Sequence, residues 1–320
     1  VQPELDSDVT PRIKELIMIA GLVHDLGHFA FSHLDRHVLP ILEKKYNVDV
    51  GRWKHHEYRS IDIFKHIVNK YKIPLENHEV DFITECIEPT EGNTLWYQNI
   101  INNTINGLDV DKFDYIQRDI RAYGSHIDTL DVYRVITNSR VIDGELSYCY
   151  NVRGEIFSLY MARYTLFKEL LVNPKILIFE LMMRDIIVEL ADRFNILQWL
   201  IDQDCENYCN FMRDDKITAF ADSDLLEAYD SRRCYKYIYS DQYEEMTNEE
   251  KDTLENVTVT CSFIGNGRDP FKDIKYYSRK DPSTVINVNP EDINMLLTCK
   301  DGEPSYKCSQ EYTYHYKRIY

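Results

Sequence analysis

The chain has 320 residues, enough to bury a substantial core as one large domain or as a core with a smaller lobe. Its formal net charge of −17 argues against a general binder of nucleic-acid backbones, although it allows a local basic pocket for a small polyphosphate. The sequence has no apolar run of about 18 residues and no signal peptide, which argues against a membrane partner. The eight cysteines form no C-x-x-C pair, so we expect reduced thiols in a cytoplasmic or nuclear protein.

The first predicted element is a helix that begins at Pro11, with Thr10 as its N-cap. Apolar residues in IKELIMIAGLV recur at helical spacing, which predicts a buried helix carrying His24 and Asp25 near its end. His28 shares the helical face of His24 if the helix continues, but glycine at position 27 is a residue type that ends helices.

The segment GLVHDLGHFAFSHLDRH, residues 21–37, concentrates histidines and aspartates on an otherwise apolar stretch. They are His24, Asp25, His28, His33, Asp35 and His37. Aspartate oxygen and histidine nitrogen suit Mn, Fe, Zn or Mg better than they suit a soft metal that prefers thiolate ligands. A lone histidine is usually a satisfied core residue, but titratable groups cluster at functional sites, so this density favours a metal or phosphate site.

Two further helices are predicted to carry polar residues of interest. His56 and Glu57 precede an apolar-periodic segment, where they form either an acid–base pair at a helix start or a solvated N-terminus. In residues 101–124, Asp111, Tyr115 and Asp119 fall on one helical face with Lys112 beside them. A metal or Lys112 would offset repulsion among buried aspartates there, and a solvated acidic helix start is the alternative.

The rest of the chain reads mainly as scaffold. Residues 175–194 are apolar at helical spacing and predict a core helix, and residues 203–255 predict helices separated by acidic loops. From residue 256 onward, β-branched and tyrosine-rich runs predict a small sheet, with a short helix over PEDINMLL. We therefore expect a mainly α fold, with a helical domain over residues 1–255 and a small α+β lobe over residues 256–320.

The motif HDLGHFAFSH, followed by HE at residues 56–57 and by NGLDVDKFDYIQRD, resembles the HD-domain phosphohydrolases. Among them it is most similar to the dNTP triphosphohydrolases that combine a sterile alpha motif with an HD domain. The resemblance continues more weakly to the C-terminal YHYKRIY and covers nearly the whole chain. It implies an HD-domain helical core that hydrolyses a dNTP to deoxynucleoside and inorganic triphosphate, using a divalent Fe, Mn, Zn or Mg ion.

The resemblance also implies roles for individual residues. His24 and Asp25 match paired metal ligands, and Asp111 matches a distal aspartate ligand. The positions that match the catalytic pocket are His28, His33 and His56, with Glu57 as acid–base partner of His56 and Asp35 as orienter of His33. His33 matches the proton donor to the 5′-oxygen leaving group. The positions that match contacts to triphosphate and sugar are Lys112, Tyr115, Asp119 and Arg163.

Three departures from the family pattern bear on these expectations. The family's first metal-ligand histidine and its guanine-nucleotide activator site lie upstream of the HDLGH helix, and we expect a longer gene to supply them because this sequence begins without Met. Leu171 and Val172 replace a sugar-contacting pair but cannot donate hydrogen bonds, which leaves recognition of deoxyribose open. Arg134 and Arg140 match activator contacts, yet Cys149 and its neighbours replace another basic contact, so we expect weak, altered or absent nucleotide activation.

Two other functions remain open on the sequence. Leu171 and Val172 favour a phosphohydrolase acting on another nucleotide. The eroded activator contacts favour a catalytically weak nucleotide-binding or oligomerisation protein. Because the resembling family forms activator-bridged tetramers, a homo-oligomer, either dimer or tetramer, is the expected assembly.

Overall fold

The computed structural model describes residues 9–90, 95–124, 130–221, 224–262, 269–288 and 309–318. Over these residues the chain is mainly α-helical with two small sheets, which confirms the predicted fold class. None of the helices described is long and apolar enough to cross a membrane. The predicted helix over PEDINMLL lies outside the described residues.

The helices follow one another along most of the chain. The helices up to residue 123 are α1 (Pro11–Val23), α2 (Asp35–Tyr46), α3 (His56–Tyr71), α4 (Asn77–Ile87) and α5 (Val110–Tyr123). Those after it are α6 (Val132–Thr137), α7 (Arg153–Leu166), α8 (Pro174–Phe194), α9 (Ile196–Asp202), α10 (Cys205–Phe211), α11 (Asp214–Phe220), α12 (Asp224–Asp230), α13 (Ser240–Glu245) and α14 (Asn248–Lys251). The predicted core helix is thus confirmed as α8.

The strands are β1 (Ser139–Ile142), β2 (Glu145–Cys149), β3 (Lys236–Ile238), β4 (Glu255–Ser262), β5 (Lys275–Ser278), β6 (Asp281–Ile286) and β7 (Ser309–Lys317). One sheet has the order β1-β2-β5-β6, in which only the β2–β5 pair is parallel, and the other has the order β3-β7-β4. The strands predicted after residue 256 are confirmed as β4 to β7. Two of them pair with strands that come earlier in the chain, β5 with β2 and β7 with β3.

The chain divides into two compact units. The first comprises Val1–Gly21, Asp81–Leu171 and Thr260–Glu311, and the second comprises Leu22–Val80, Val172–Val259 and Tyr312–Tyr320. The division predicted at residue 255 stays a prediction.

The second unit is built on a hydrophobic core to which α2, α3, α8 and α10 contribute. Its most buried members include Leu42, Trp53, Ile187 and Tyr208. α8 begins where the Asn173 side chain accepts a hydrogen bond from the Lys175 amide, with Pro174 at a position that needs no amide donor. This core supports the segment that carries the His-Asp pair.

In the first unit, α5 packs on α7. The Asp109 side chain caps α5 by accepting a hydrogen bond from the Lys112 amide at 3.0 Å, and Gly124, with φ of 67°, ends the helix. The hydroxyl of Tyr160, on α7, donates to the Asn106 carbonyl oxygen at 2.7 Å. These contacts fix the helix that presents Asp111, Tyr115 and Asp119.

Candidate metal centre

The His-Asp pair lies in a turn rather than on a helix. α1 ends at Val23, so His24 and Asp25 follow its last residue, which corrects the expectation that they lie within it. α1 is buried on one face only: Leu16 and Ala20 are buried, whereas Met18 and Leu22 are 74% and 79% exposed. The turn frees the pair from the divergence that adjacent helical residues show.

Four side chains of the second unit converge at this turn. Nε2 of His28 lies 3.3 Å from Asp25 Oδ1, and Nε2 of His56 lies 3.8 Å from the same oxygen. The rings of His28 and His56 stack with their centroids 4.1 Å apart. On the other carboxylate oxygen, Oδ2, His24 Nε2 approaches to 3.3 Å. The structure therefore brings together His24, Asp25, His28 and His56, as the motif pattern predicts.

His56 is held from both sides. It is the first residue of α3, and its Nδ1 lies 3.4 Å from Glu57 Oε2. A carboxylate on one ring nitrogen fixes the tautomer and leaves the other nitrogen to face Asp25. Of the two interpretations left open by the sequence, this contact favours the paired one.

His33 extends the cluster. Its ring packs edge-on against His28 with the centroids 4.5 Å apart. The two residues before it, Phe31 and Ser32, have φ of 59° and 68°, and the Phe31 amide donates to Asp214 Oδ1 at 2.7 Å. Left-handed backbone at two successive non-glycine residues is strained, and strain of this kind concentrates at functional sites. The backbone at Phe31 and Ser32 is thus fixed by the long-range hydrogen bond to Asp214.

Asp35, the predicted orienter of His33, binds an arginine. Its Oδ2 accepts a hydrogen bond from the guanidinium of Arg59, and its Oδ1 accepts one from the Arg36 amide at 2.9 Å. Arg59 is fully buried. An orienting role of Asp35 toward His33 stays a prediction.

The charges of the cluster shift one another's pKa values. Burial raises the pKa of Asp25, but hydrogen bonds to His24 and His28 and their positive charge outweigh it and hold that pKa below its ordinary range. Desolvation, followed by the charges of His28 and His56, lowers the pKa of His33. Desolvation also lowers the pKa of His56. In general, aspartate binds a cation as the carboxylate and histidine as the neutral imidazole.

The donor set fits a divalent metal. One ligand atom from each of Asp25, His28 and His56 lies within 4.8 Å of the other two. His28 Nδ1 is buried, and no residue within the described ranges accepts from it or donates to it. One hard oxygen and two borderline nitrogens suit Mn, Fe or Zn. The group can therefore hold a metal ion.

The remaining predicted residues lie in the first unit. Lys112 Nζ pairs with Asp109 Oδ2 at 2.8 Å, and the Tyr115 hydroxyl accepts from Arg163 Nε at 3.0 Å. Arg163, 6% exposed, also donates to the Ser262 carbonyl oxygen and lies over the Phe167 ring. Burial raises the pKa of Tyr115 to about 12, so its hydroxyl stays protonated. Asp111 and Asp119 are half-buried on the same helix, and the role of Asp111 as a ligand stays a prediction.

The predicted activator contacts lie elsewhere in the first unit. Arg134 pairs with Glu155, and Arg140 lines a cavity of about 340 Å³ with Trp96, Phe113 and Tyr148. The cavity wall is mainly apolar. The expected loss of nucleotide activation stays a prediction.

Sequence reasoning missed the residues behind the turn. Arg59, Ser60 and Tyr208 hold its backbone, although none belongs to a motif that the sequence displays. Arg59 had one signal, since it shares a helical face with Ile63 and Ile67, and an arginine on an apolar face requires a buried partner. Ser60 and Tyr208 gave none.

The helical fold and the His-Asp pair with two further histidines fit the HD-domain resemblance of the sequence. No family model matches the chain. The chain is 26% identical to a protein of Acanthamoeba polyphaga mimivirus named as HD domain-containing, over 91% of this chain and 73% of the relative. It is 25% identical to the Dictyostelium discoideum homolog of the deoxynucleoside triphosphate triphosphohydrolase SAMHD1, over 92% of this chain. It is 24% identical to human SAMHD1, over 94% of this chain.

The chain spans 61% of the Dictyostelium relative and 58% of the human one. These similarities confirm the predicted resemblance: the chain is related to HD-domain proteins, and its relatives include named dNTP triphosphohydrolases.

Proposed function

We propose that this protein is a metal-dependent phosphohydrolase that converts a dNTP to deoxynucleoside and inorganic triphosphate. The observation that carries the proposal is the convergence of Asp25, His28 and His56, whose ligand atoms lie within 4.8 Å of one another. The relatives' names supply the substrate class. Because the chain carries a formal net charge of −17, it would hold a polyphosphate in a confined basic pocket and not on a broadly basic surface.

The proposed ligands are His24 and Asp25, with Asp111 carried over from the motif resemblance. His28 and His56, whose nitrogens lie beside Asp25 Oδ1, are the proposed catalytic-pocket residues next to these ligands. When bound, a divalent ion supplies positive charge against the phosphates and acidifies water. Asp25 is ionised because its pKa is lowered, so it contributes a full negative charge to the ligand set. Glu57 holds the ring of His56, and the stacked His28 ring is held in turn by that of His56.

The proposed reaction breaks the bond between the α-phosphorus and the 5′-oxygen. Water oxygen forms a new bond to phosphorus and releases one proton to solvent, and the departing 5′-oxygen takes a proton from His33, so that one water molecule is consumed. General acid catalysis of this kind contributes on the order of 10²–10⁴ in rate. Since desolvation and the neighbouring imidazoles lower the pKa of His33, the negative phosphate must raise that pKa for His33 to carry the proton.

In the first unit, Lys112, Tyr115, Asp119 and Arg163 are the proposed contacts to triphosphate and sugar. Arg163 is positioned by Tyr115 and by the Ser262 carbonyl, so its guanidinium has a defined orientation. Lys112 keeps donors beyond the one it gives Asp109, because an ammonium carries three.

Metal binding tests the centre before any substrate is chosen. We expect the full-length protein to bind close to one Mn²⁺ per chain, measured by electron paramagnetic resonance titration, and Asp25→Ala to lose at least about 100-fold in affinity. Asp111→Ala should also weaken binding. The exposed Asp49 and Asp114 provide matched controls, Asp49→Ala and Asp114→Ala, which should bind as wild type. Unchanged affinity in Asp25→Ala would refute the proposed centre.

A second candidate is hydrolysis of another nucleotide. Val172 is buried and Leu171 half-buried, and neither side chain can donate a hydrogen bond to a sugar. Parallel assays with each dNTP and rNTP discriminate the two. Equal kcat/KM for a dNTP and its ribonucleotide would favour the second candidate.

A further inference from the structure

The backbone of the turn that carries His28 is bound on both sides of Gly27. The Gly27 amide donates to Ser60 Oγ at 2.8 Å, and its carbonyl oxygen accepts from Arg59 Nε at 2.6 Å. A Cβ at Gly27 would lie only 2.2 Å from the His56 carbonyl oxygen. The turn therefore packs directly on the first turn of α3, which carries His56.

Tyr208 approaches the same peptide from α10. Its hydroxyl lies 2.9 Å from the Gly27 carbonyl oxygen and 3.0 Å from that of His28, and its one proton is donated to either. The ring is 2% exposed and packs edge-on against Phe29 and Trp53. Because the ring is fixed by packing, the hydroxyl fixes the orientation of the peptide that leads into His28.

Arg59, on α3, donates to the same Gly27 carbonyl oxygen as Tyr208 does. Its buried guanidinium donates to the Gly27 and Trp53 carbonyl oxygens and to the Asp35 carboxylate. Three acceptors on one planar fork leave it little rotational freedom. Loss of a partner would leave this buried positive charge uncompensated, which is strongly destabilising.

We propose that Tyr208 and Arg59 are positioning residues that hold the Gly27–His28 peptide so that His28 faces Asp25 and His56. The proposal rests on the proposed metal centre. Neither side chain belongs to the ligand set. Partners of this kind, behind ligating residues, typically contribute 10- to 100-fold, as an order of magnitude, to metal affinity or activity.

The variant Tyr208→Phe tests the proposal, because it removes only the hydroxyl and keeps the packed ring. Tyr316→Phe is the matched control: Tyr316 is fully buried, and its hydroxyl donates to the Pro174 carbonyl oxygen at 3.1 Å. Amide hydrogen exchange at Gly27 and His28, Mn²⁺ affinity, and kcat and KM are measured for both. We expect Tyr208→Phe to lose about 10-fold in amide protection and about 10-fold in Mn²⁺ affinity. Tyr316→Phe should leave both unchanged.

Arg59→Lys is a second test, because lysine keeps the charge for Asp35 but cannot reach three acceptors in a planar fork. We expect it to lower Gly27 protection, whereas Arg52→Lys, at a half-exposed ion pair with Asp62, should not. Wild-type protection and wild-type Mn²⁺ affinity in both Tyr208→Phe and Arg59→Lys would overturn the proposal. Failure of the wild type to release triphosphate would count against the proposed function alone, because hydrogen exchange reports on positioning without metal or substrate.

Discussion

At the scale of single residues, the site depends on how closely two pieces of backbone approach. Gly27 lies against the first turn of α3, where a side chain would overlap the backbone of His56 and Ser60. Glycine is required at this position because it is the one residue without a Cβ. The distance between Asp25 and His56 follows from this contact, so a packing requirement at one residue determines the geometry of the candidate metal centre.

Gly27→Ala is expected to lower the free energy of unfolding by about 3 kcal/mol, because overpacking against backbone cannot relax by rotation of a side chain. Urea denaturation measures the loss. Gly21→Ala is the matched control, since a Cβ there meets only Ile101 Cδ1 at 3.4 Å and alanine favours the helix by about 0.5–1 kcal/mol. Equal stability of the two variants would show that the turn and α3 are less closely packed.

The cluster itself was predictable, and its support was not. His24, Asp25, His28 and His56 stand out in the sequence because polar titratable residues are rare in apolar segments. Tyr208 does not stand out, because a tyrosine on a short amphipathic helix is usually core. Its hydrogen bonds join residues about 180 positions apart, and sequence periodicity carries no information about such contacts.

At the scale of elements, α5 depends on its N-cap. The Asp109 carboxylate accepts from the amides of Lys112 and Asn103 and from the Lys112 ammonium. Burial raises the pKa of Asp109 in spite of the nearby Lys112 ammonium, so burying its negative charge is unfavourable. Asp109 stabilises the helix through its oxygens, which accept the two amide hydrogen bonds. The cap sets the start of the helix and with it the direction of Asp111.

Asp109→Ala is expected to lower the free energy of unfolding by about 2–3 kcal/mol, because a buried cap is lost and two amides lose their acceptor. Asp109→Asn keeps an acceptor oxygen and should cost less. Asp131, the exposed N-cap of α6, gives the control Asp131→Ala, expected to cost about 1 kcal/mol. Thermal unfolding compares the three. A larger loss in Asp131→Ala would contradict this account of α5.

Most helices and the late strands could be predicted from apolar spacing, whereas the β1–β2 hairpin was missed and β3 lies within residues 203–255, which were predicted as helices and loops. Its signal was present: Asp143 and Gly144 have φ of 50° and 76°, the turn that an Asp-Gly pair between two strands favours. These short strands were not predicted because they lie between segments with helical periodicity. The end of α1 was placed too late because apolar spacing alone does not mark where a helix stops.

At the scale of the whole molecule, acidic residues outnumber basic ones, and three arginines are buried within the described ranges: Arg59, Arg163 and Arg184. In the second unit, the buried Arg184 pairs with Asp185 and Glu255, and Arg318 also binds Glu255. This network joins α8, β4 and the residue after β7. Burial raises the pKa of Glu255, but Arg184 and Arg318 outweigh it and leave that pKa below its ordinary value.

A lowered carboxyl pKa stabilises the fold above the pKa of the unfolded chain, and the contribution is lost as pH falls through the folded value. Glu255→Gln should therefore cost about 2 kcal/mol at pH 7, since charge-assisted bonds are lost. The difference from wild type should shrink below about pH 4.5. Urea denaturation across pH measures it, with the exposed Glu249→Gln as control. A difference that grows on acidification would contradict the assigned direction.

Product identity tests the central claim most directly. The full-length protein is incubated with Mn²⁺ and each dNTP, and the products are separated by anion-exchange chromatography. The proposed metal centre predicts deoxynucleoside and inorganic triphosphate in equal amounts, lost in Asp25→Ala and retained in Asp49→Ala. Release of orthophosphate or pyrophosphate, or of no product from any dNTP, would contradict the proposed triphosphohydrolase.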